Sequence, residues 1–350
     1  MIALSARMAR VGGSATAAAM ARAAAAKAAG RPVISLTTGE PDFPTPPHIR
    51  QAAKAAIDAG ETRYTAVDGT AALKEAIAAK FARENGLSFA PEQIIASTGA
   101  KQCIFNALLA TIGAGDEVIV PVPAWVSYQD IVTLAGGRPV PVMTRPEDGF
   151  RPRVEAIQAA ITPNTRALML NSPANPTGAT LSEAELRGIG AALAGRPDIL
   201  VICDDIYEHI LYDGARHATL AAVCPERADQ VLTVNGVSKA YAMTGWRLGY
   251  AAGPVALVRA MRVLQSQSTT NPSSIAQAAA VAALNGGLNA VVQQSAAFAR
   301  RRDALLAALA AIPGLDLVRP EGAFYLFIGI GALLGGRSGS EAAFVDALVE

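Results

Sequence analysis

The chain has 350 residues, 51% of them hydrophobic and 17% charged, with thirty basic residues against twenty-nine acidic ones and a formal charge of +1. That length and apolar content suit two units with large cores, while the even charge and lack of like-charge blocks argue against partners such as nucleic acid or an anionic membrane surface. Cys103, Cys203 and Cys224 stand far apart without a CxxC pair, so they read as buried thiols of a reducing compartment.

The first thirty-nine residues hold several Arg and no Asp or Glu, like a transit peptide, but Arg7 and Arg10 interrupt any apolar run. Ser14 is placed to cap an alanine-rich helix from Ala15 to Ala29, which Gly30 stops. From about residue 66 helix and strand patterns alternate. Helices are expected over Gly69–Asn85 (closed by Gly86), Gln102–Ile112, Trp125–Ala135, Arg153–Ile161 and Ser182–Ala194. Between them lie short apolar runs that fit buried strands: Gln93–Ser97, Glu117–Val120 (bounded by Pro121), Pro139–Met143, Arg166–Asn171, Ile199–Cys203, Val231–Asn235 and Leu248–Ala252. This alternation predicts an α/β domain with a mostly parallel sheet, whose sites sit at the carboxyl ends of strands. After Pro272 the character changes to helices over Ser273–Leu284 and Leu288–Ala311, strands over Leu315–Val318 and Ala323–Ile328, a flexible loop at 335–340 and a last helix from Ser340. The stretch around Ser274–Leu284 contains Gln277 and is too short to span a bilayer, so a soluble, cytoplasmic protein is expected. The expected division is 1–45 as an N-terminal arm joining a small α+β domain, 46–285 as the large domain, and 286–350 as the rest of the small one.

Several site types are missing. There is no GxSxG, GxxxxGK[ST], HExxH or zinc-type cysteine spacing, and GIGALLGG at 329–336 fails the dinucleotide spacing. His48, His209 and His217 are too scattered in sequence to propose a metal site, so none is expected. Four segments at strand ends remain. STGAKQ at 97–102 runs from strand to helix, so backbone N–H groups of Gly99, Ala100 and Lys101 are placed to hold a phosphate, although many such turns bind nothing. NSPANPTG at 171–178 holds Asn175 rigidly, and its Asn-Pro step favours a cis bond. DDIYEH puts Asp204 and Tyr207 past a very apolar strand, where a carboxylate calls for a cationic partner. In NGVSKAYAMTGWR, Lys239 is the only lysine after Lys101 and precedes Arg247 by eight residues; a lone lysine in that setting points to an amine used for chemistry, because guanidinium does not form a Schiff base. One phosphate site, one amine, one carboxylate, one phenol and one amide are the set that pyridoxal 5′-phosphate needs.

Through SLTTGEPDFPTP, TRYTAVDGT, STGAKQ, PAWVSY, NSPANPTG, DDIYEHI, VNGVSKAYAMTGWRLGYAAGP and PEGAFY, the chain resembles class I aminotransferases of the aspartate aminotransferase type, fold type I pyridoxal-phosphate enzymes. The resemblance implies that Lys239 is the Schiff-base lysine and proton shuttle, that Asp204 pairs with the pyridine nitrogen and stays ionised, and that Tyr207 and Asn175 bond the ring oxygen. It implies stacking by Trp125, phosphate binding by Arg247, Gly99, Ala100 and Lys101, and a substrate carboxylate at the Gly39 backbone, with Trp125 and Asn175 also meeting substrate. Tyr64 would reach the phosphate of the neighbouring subunit, making the active unit a homodimer with shared sites. Burial and the Arg247 charge are expected to depress the Lys239 pKa. The implied reaction is ping-pong transfer of the α-amino group of an L-amino acid, aspartate first, to 2-oxoglutarate. Gly12 and Gly13 stand where some relatives with prephenate activity carry a lysine, which favours aspartate. Relatives continue past a helix like 341–350 into a segment bearing the arginine that grips the substrate α-carboxylate; Arg319 and Arg337 are in the wrong context for it. A truncated chain, or a cofactor-binding protein with impaired turnover, is therefore the alternative expectation, beside a pyridoxal-phosphate lyase on the same fold. A nicotinamide dehydrogenase is disfavoured by the absent glycine fingerprint.

Overall fold

The computed structural model describes residues 2–13, 15–34, 36, 38–334 and 340–349. Ser14, Arg337 and most of the loop expected at 335–340 lie outside the described residues. Nine strands (β1 Ile94–Ser97, β2 Glu117–Val122, β3 Arg138–Met143, β4 Thr165–Asn171, β5 Leu200–Asp204, β6 Val231–Gly236, β7 Gly249–Ala252, β8 Asp316–Leu317, β9 Ile328–Gly329) alternate with helices among the described residues. The helices are α1 Ala15–Ala28, α2 Pro47–Asp58, α3 Ala71–Lys80, α4 Ala100–Thr111, α5 Ser127–Ala135, α6 Val154–Ala160, α7 Glu183–Ala192, α8 Leu220–Val223, α9 Val255–Ser266, α10 Ser274–Asn285, α11 Asn289–Ala310 and α12 Glu341–Val349.

Seven strands form one sheet in the order β1-β7-β6-β5-β4-β2-β3. Only β7 is reversed; it pairs antiparallel with β1 and β6, and every other pairing is parallel. The reversal matters for the site. The amino end of β7, just after Arg247, comes to the same sheet edge as the carboxyl ends of its neighbours, with Gly249 opposite both Ser97 and Gly236.

Alternating side chains feed cores on the two faces. On β1, Ile94 and Ala96 join α2, α3 and α10, while Ile95 packs with α4 and α9 on the other side; on β7, Tyr250 and Ala252 take the first face and Ala251 the second. Ile119, Leu168, Leu170, Val201 and Cys203 pack with α6, α7 and α8. Among the described residues no single helix is long and apolar enough to cross a membrane; α10 and α11 reach that length only as a pair bent by 82°.

Several boundaries depart from the sequence reading. Helix α3 starts after Gly69, whose φ of +108° is not helical, with Thr70 accepting a hydrogen bond from the Leu73 N–H as cap. The turn Phe81–Asn85 continues it in wider π form up to Gly86. Strand β2 does not stop at Pro121. Its ladder to β4 ends by Ile119, so a residue without an N–H is tolerated farther along. Residues 323–327 are not a strand: Ala323 has φ +56°, and regular pairing begins at Ile328. Helices α2 and α9 have no counterpart in the sequence reading, although Pro47 at the start of α2 is a standard N-terminal signal.

Candidate active site

Five strand ends and the start of β7 open on one cavity of about 490 Å³, lined by Gly39, Ala100, Lys101, Trp125, Asn175, Asp204, Tyr207, Lys239 and Arg247 together with Tyr128, Ser238, Thr244 and Tyr325. Residues far apart in sequence thus share one compartment. Gly99 borders it as the residue before α4. Tyr64 stands apart, 90% exposed, in a shallow surface depression with Arg63 and Asn271.

Each wall follows from local chemistry. Asn171 closes β4 by donating its amide to the Asp204 carbonyl (2.7 Å) and accepting the Asn175 N–H (2.8 Å), so the loop is tied to β5 before it reverses. Its Ser172–Pro173 and Asn175–Pro176 bonds are cis, and Asn175 faces the cavity. At the other side Gly99, with φ +92°, ends in the first turn of α4. A β-carbon there would meet Arg247 Nη2 at 2.6 Å, and one on Gly249 would meet the Ala100 nitrogen at 2.1 Å. Two glycines therefore let the Arg247 guanidinium and β7 lie against the helix start. Lys101 Nζ stands 4.6 Å over the Trp125 ring, and burial, then Arg247, lowers its pKa. Two cations beside the first N–H groups of a helix, which have no partner within it, make a seat for a compact dianion.

Lys239 follows β6, and its amine donates to the Gly39 carbonyl. Burial first, then the charge of Arg247, pulls its pKa down to about 8; Glu40 and Asp204 oppose this. Asp204 at the end of β5 is 4% exposed, and burial pushes its carboxyl up to about 6. Its partners within the chain are neutral donors. Among the described residues Asp204 forms no ion pair; Tyr128 donates its hydroxyl to Oδ2 at 2.7 Å, and the Ile206 N–H reaches Oδ1 at 3.4 Å. In the protein alone, burial therefore makes ionisation of this carboxyl costly. The cation that would reverse this has to come from whatever fills the cavity.

Tyr128 and Tyr325 are functional neighbours the sequence reading did not assign. Tyr128, three residues after Trp125 in PAWVSY, is the second residue of α5; its N–H donates to the Trp125 carbonyl (3.0 Å) and its ring meets the indole edge-on at 5.3 Å. Tyr325 ends PEGAFY, and its hydroxyl is 2.6 Å from that of Tyr207. Behind the site, a buried cluster anchors the 204–209 turn. Lys80 pairs with Glu208, which also accepts from Asn85 and Asn235 (both 2.7 Å), while His209 and Glu84 are 2.9 Å apart. Burial would raise Glu208, yet Lys80, His209 and His217 draw it down to about 2. Two of the three histidines scattered in sequence therefore converge, His209 and His217 lying 3.6 and 3.9 Å from Glu208. Ligand atoms of Glu84, Glu208 and His209 come within 4.8 Å of one another, but the Lys80 ammonium already supplies a cation to that group.

The arrangement fits a flat, anionic heterocycle: a dianion seat at the α4 start, an indole face, and a buried carboxylate lacking a cation. A pyridinium nitrogen is such a cation, and a partly neutral amine in the same compartment can capture an aldehyde.

Comparisons agree with this reading. The family model described as "Aminotransferase class I and II" matches residues 31–350. The chain is 54% identical over 315 residues to an aspartate aminotransferase of Rhizobium meliloti (strain 1021), covering 90% of this chain and 77% of that protein. It is 50% identical over 353 residues to an aspartate/prephenate aminotransferase of Cereibacter sphaeroides, covering 99% and 88%. The crystal structure of the aspartate aminotransferase from Rhizobium meliloti superposes with a TM-score of 0.93 at 51% identity, covering 96% of this chain and 84% of that one.

Proposed function

The chain belongs to the class I and II aminotransferases, a family that uses pyridoxal 5′-phosphate, and from that premise we propose that it transfers the α-amino group of L-aspartate to 2-oxoglutarate in two half-reactions. The observation that carries this reading is the pairing, in one cavity, of a lysine amine near pKa 8 with a buried carboxylate that has no cation of its own.

When bound, the cofactor supplies an aldehyde that takes up the amino group and a ring that accepts the electrons left at the substrate α-carbon. We assign Arg247, Lys101 and the Gly99–Ala100 turn to its phosphate, where charge-assisted bonds are the strongest available. Asp204, backed by Tyr128, holds negative charge at the pyridine nitrogen, and that charge is stabilised by the cation it faces. Tyr207 and Asn175 are donors for the ring oxygen, and Trp125 covers the ring. The Lys239 amine is about half neutral near pH 8, so it can take a proton from the substrate α-carbon and give one back. Gly39, whose carbonyl already meets the amine, lines the substrate side of the cavity.

Tyr64 acts from a second copy of the chain at the phosphate in this reading, and the active unit is a homodimer. Its 90% exposure in the TRYT segment supports a face covered by a partner there. Residues 46–285 form the cofactor unit, with 1–45 and 286–350 as the smaller one; the Arg22–Asp346 pair (3.6 Å) linking α1 to α12 supports that division. The name of the Cereibacter sphaeroides relative favours prephenate as a second acceptor.

The test is a steady-state assay of the cofactor-loaded chain. With L-aspartate and 2-oxoglutarate, glutamate and oxaloacetate should form in equal amounts. Release of ammonia in place of glutamate would overturn the reading in favour of a lyase, and a run with L-aspartate and prephenate decides the second acceptor.

A further inference from the structure

The hydroxyl of Tyr325 sits where three parts of the cavity meet. It lies 2.6 Å from the Tyr207 hydroxyl and 3.4 Å from Asn175 Nδ2. On another side is Gly39, where a β-carbon would come within 2.5 Å of the Tyr325 oxygen, so glycine is what leaves room for the phenol. That same Gly39 carbonyl receives the Lys239 amine.

The segment presenting Tyr325 is over-determined. The Glu321 and Gly322 N–H groups both donate to the Gly178 carbonyl (3.0 Å each), the Ala323 N–H donates to Ile210 O (2.9 Å), and the Tyr212 N–H to Glu321 O (2.9 Å). The Tyr212 hydroxyl donates to the Ala323 carbonyl, and Arg151 and Thr180 both bond the Glu321 carboxylate. These bonds hold Ala323, wholly buried, at φ +56°, a conformation that L-residues avoid unless the surroundings enforce it. The turn delivers Phe324 and Tyr325 nearly perpendicular to the Tyr207 ring, at centroid distances of 5.4 and 5.7 Å.

We propose that Tyr325 is a positioning residue for the reaction, acting through Tyr207: its hydroxyl fixes which way the Tyr207 proton points. The inference rests on the aminotransferase reading of the cavity. Each phenol has one proton to give and can accept another. Asn175 donates into the Tyr325 oxygen, Tyr325 gives its proton to Tyr207, and the Tyr207 proton is left for an acceptor in the cavity, which in that reading is the cofactor's ring oxygen. Successive donors in such a chain strengthen one another. Burial keeps both phenols protonated through neutral pH, Tyr325 being raised to about 12.

The readout is the pH at which the absorption of bound pyridoxal 5′-phosphate changes. A donor to the ring oxygen favours its ionised form, so Tyr207→Phe should move that transition upward. Tyr325→Phe should move it the same way by a smaller amount. The double variant should match Tyr207→Phe alone, because Tyr325 has then nothing to act through. Turnover of Tyr325→Phe should fall about tenfold, the order of one hydrogen bond, with KM for the amino donor little changed. Site-specific 3-fluorotyrosine at position 325 keeps the shape but donates more strongly, and should move the transition downward; it serves also if Tyr325→Phe folds poorly. Additive shifts in the double variant, or no shift with either replacement, overturn the proposal. If the unaltered protein shows only the absorption of free cofactor, the aminotransferase reading fails instead.

Discussion

Asp204→Asn separates the stability of this fold from its chemistry. The Asp204 carboxyl is 4% exposed and is raised from 3.8 to about 6, chiefly by burial, with Asp205 adding to the rise and Tyr128 opposing it. The difference of about 2 pKa units, at 1.36 kcal/mol each, means that the ionised side chain costs the cofactor-free protein about 3 kcal/mol at neutral pH. The sign follows from the direction of the shift. Below 3.8 both folded and unfolded chains are protonated there and nothing is lost; between 3.8 and 6 the unfolded chain ionises first and stability falls; above 6 the full penalty applies. Asparagine carries no charge, and its carbonyl can still accept from Tyr128. Cofactor-free Asp204→Asn should therefore be more stable than the unaltered chain by up to about 3 kcal/mol at pH 7.5 and nearly equal to it at pH 4. Urea unfolding of both proteins at pH 4, 5 and 7.5 measures the gap, and transaminase activity should drop by three orders of magnitude or more. A variant less stable at pH 7.5, or a gap that does not narrow on acidification, would refute the claim that a buried charge is kept for a cation still to arrive.

Tyr128→Phe leaves Asp204 Oδ2 without its phenol and should weaken cofactor binding about tenfold in equilibrium dialysis, the scale of one hydrogen bond to a charged group. Arg247→Met and Lys101→Met should each weaken pyridoxal 5′-phosphate by about 10- to 100-fold while leaving pyridoxal itself nearly unaffected, since only the phosphate meets them; equal losses for both ligands would count against that assignment. In the cofactor-free Arg247→Met protein, the Lys239 amine should titrate above its starting value of about 8 by NMR of the methylated lysine, because one of the two influences lowering it is gone. Lys80→Ala strands Glu208 in the interior and should destabilise by about 3–5 kcal/mol at pH 7. Glu208 is held near 2, below its ordinary 4.5, so its contribution is present above 4.5 and is lost as pH falls from 4.5 toward 2. The Lys80→Ala deficit should shrink over that window.

Much of the sheet was legible because its central strands are apolar runs buried on both faces, as Leu168–Leu170 and Ile202–Cys203 are. The strand-end motifs were legible for the same reason, since polar residues directly after such runs stand out. What escaped has physical causes. The run Ala323–Ile328 has strand composition, but tertiary hydrogen bonds hold Ala323 at positive φ and turn the segment into a presenter of Tyr325. The phenol that donates to Asp204 escaped because Tyr128 lies on α5, far from Asp204 in sequence, and only the sheet brings the two together. Lys80 and Glu84 are four residues apart, but their meeting with Glu208, His209 and His217 arises from tertiary packing that no local spacing reveals.

The most direct measurement is borohydride reduction of the cofactor-loaded protein followed by peptide mass mapping. A cofactor-sized adduct should be locked onto the peptide carrying Lys239 and be missing from Lys239→Ala. An adduct on Lys101, the other lysine lining the cavity, or none at all, would contradict the assignment of Lys239 as the amine that captures the aldehyde opposite Asp204.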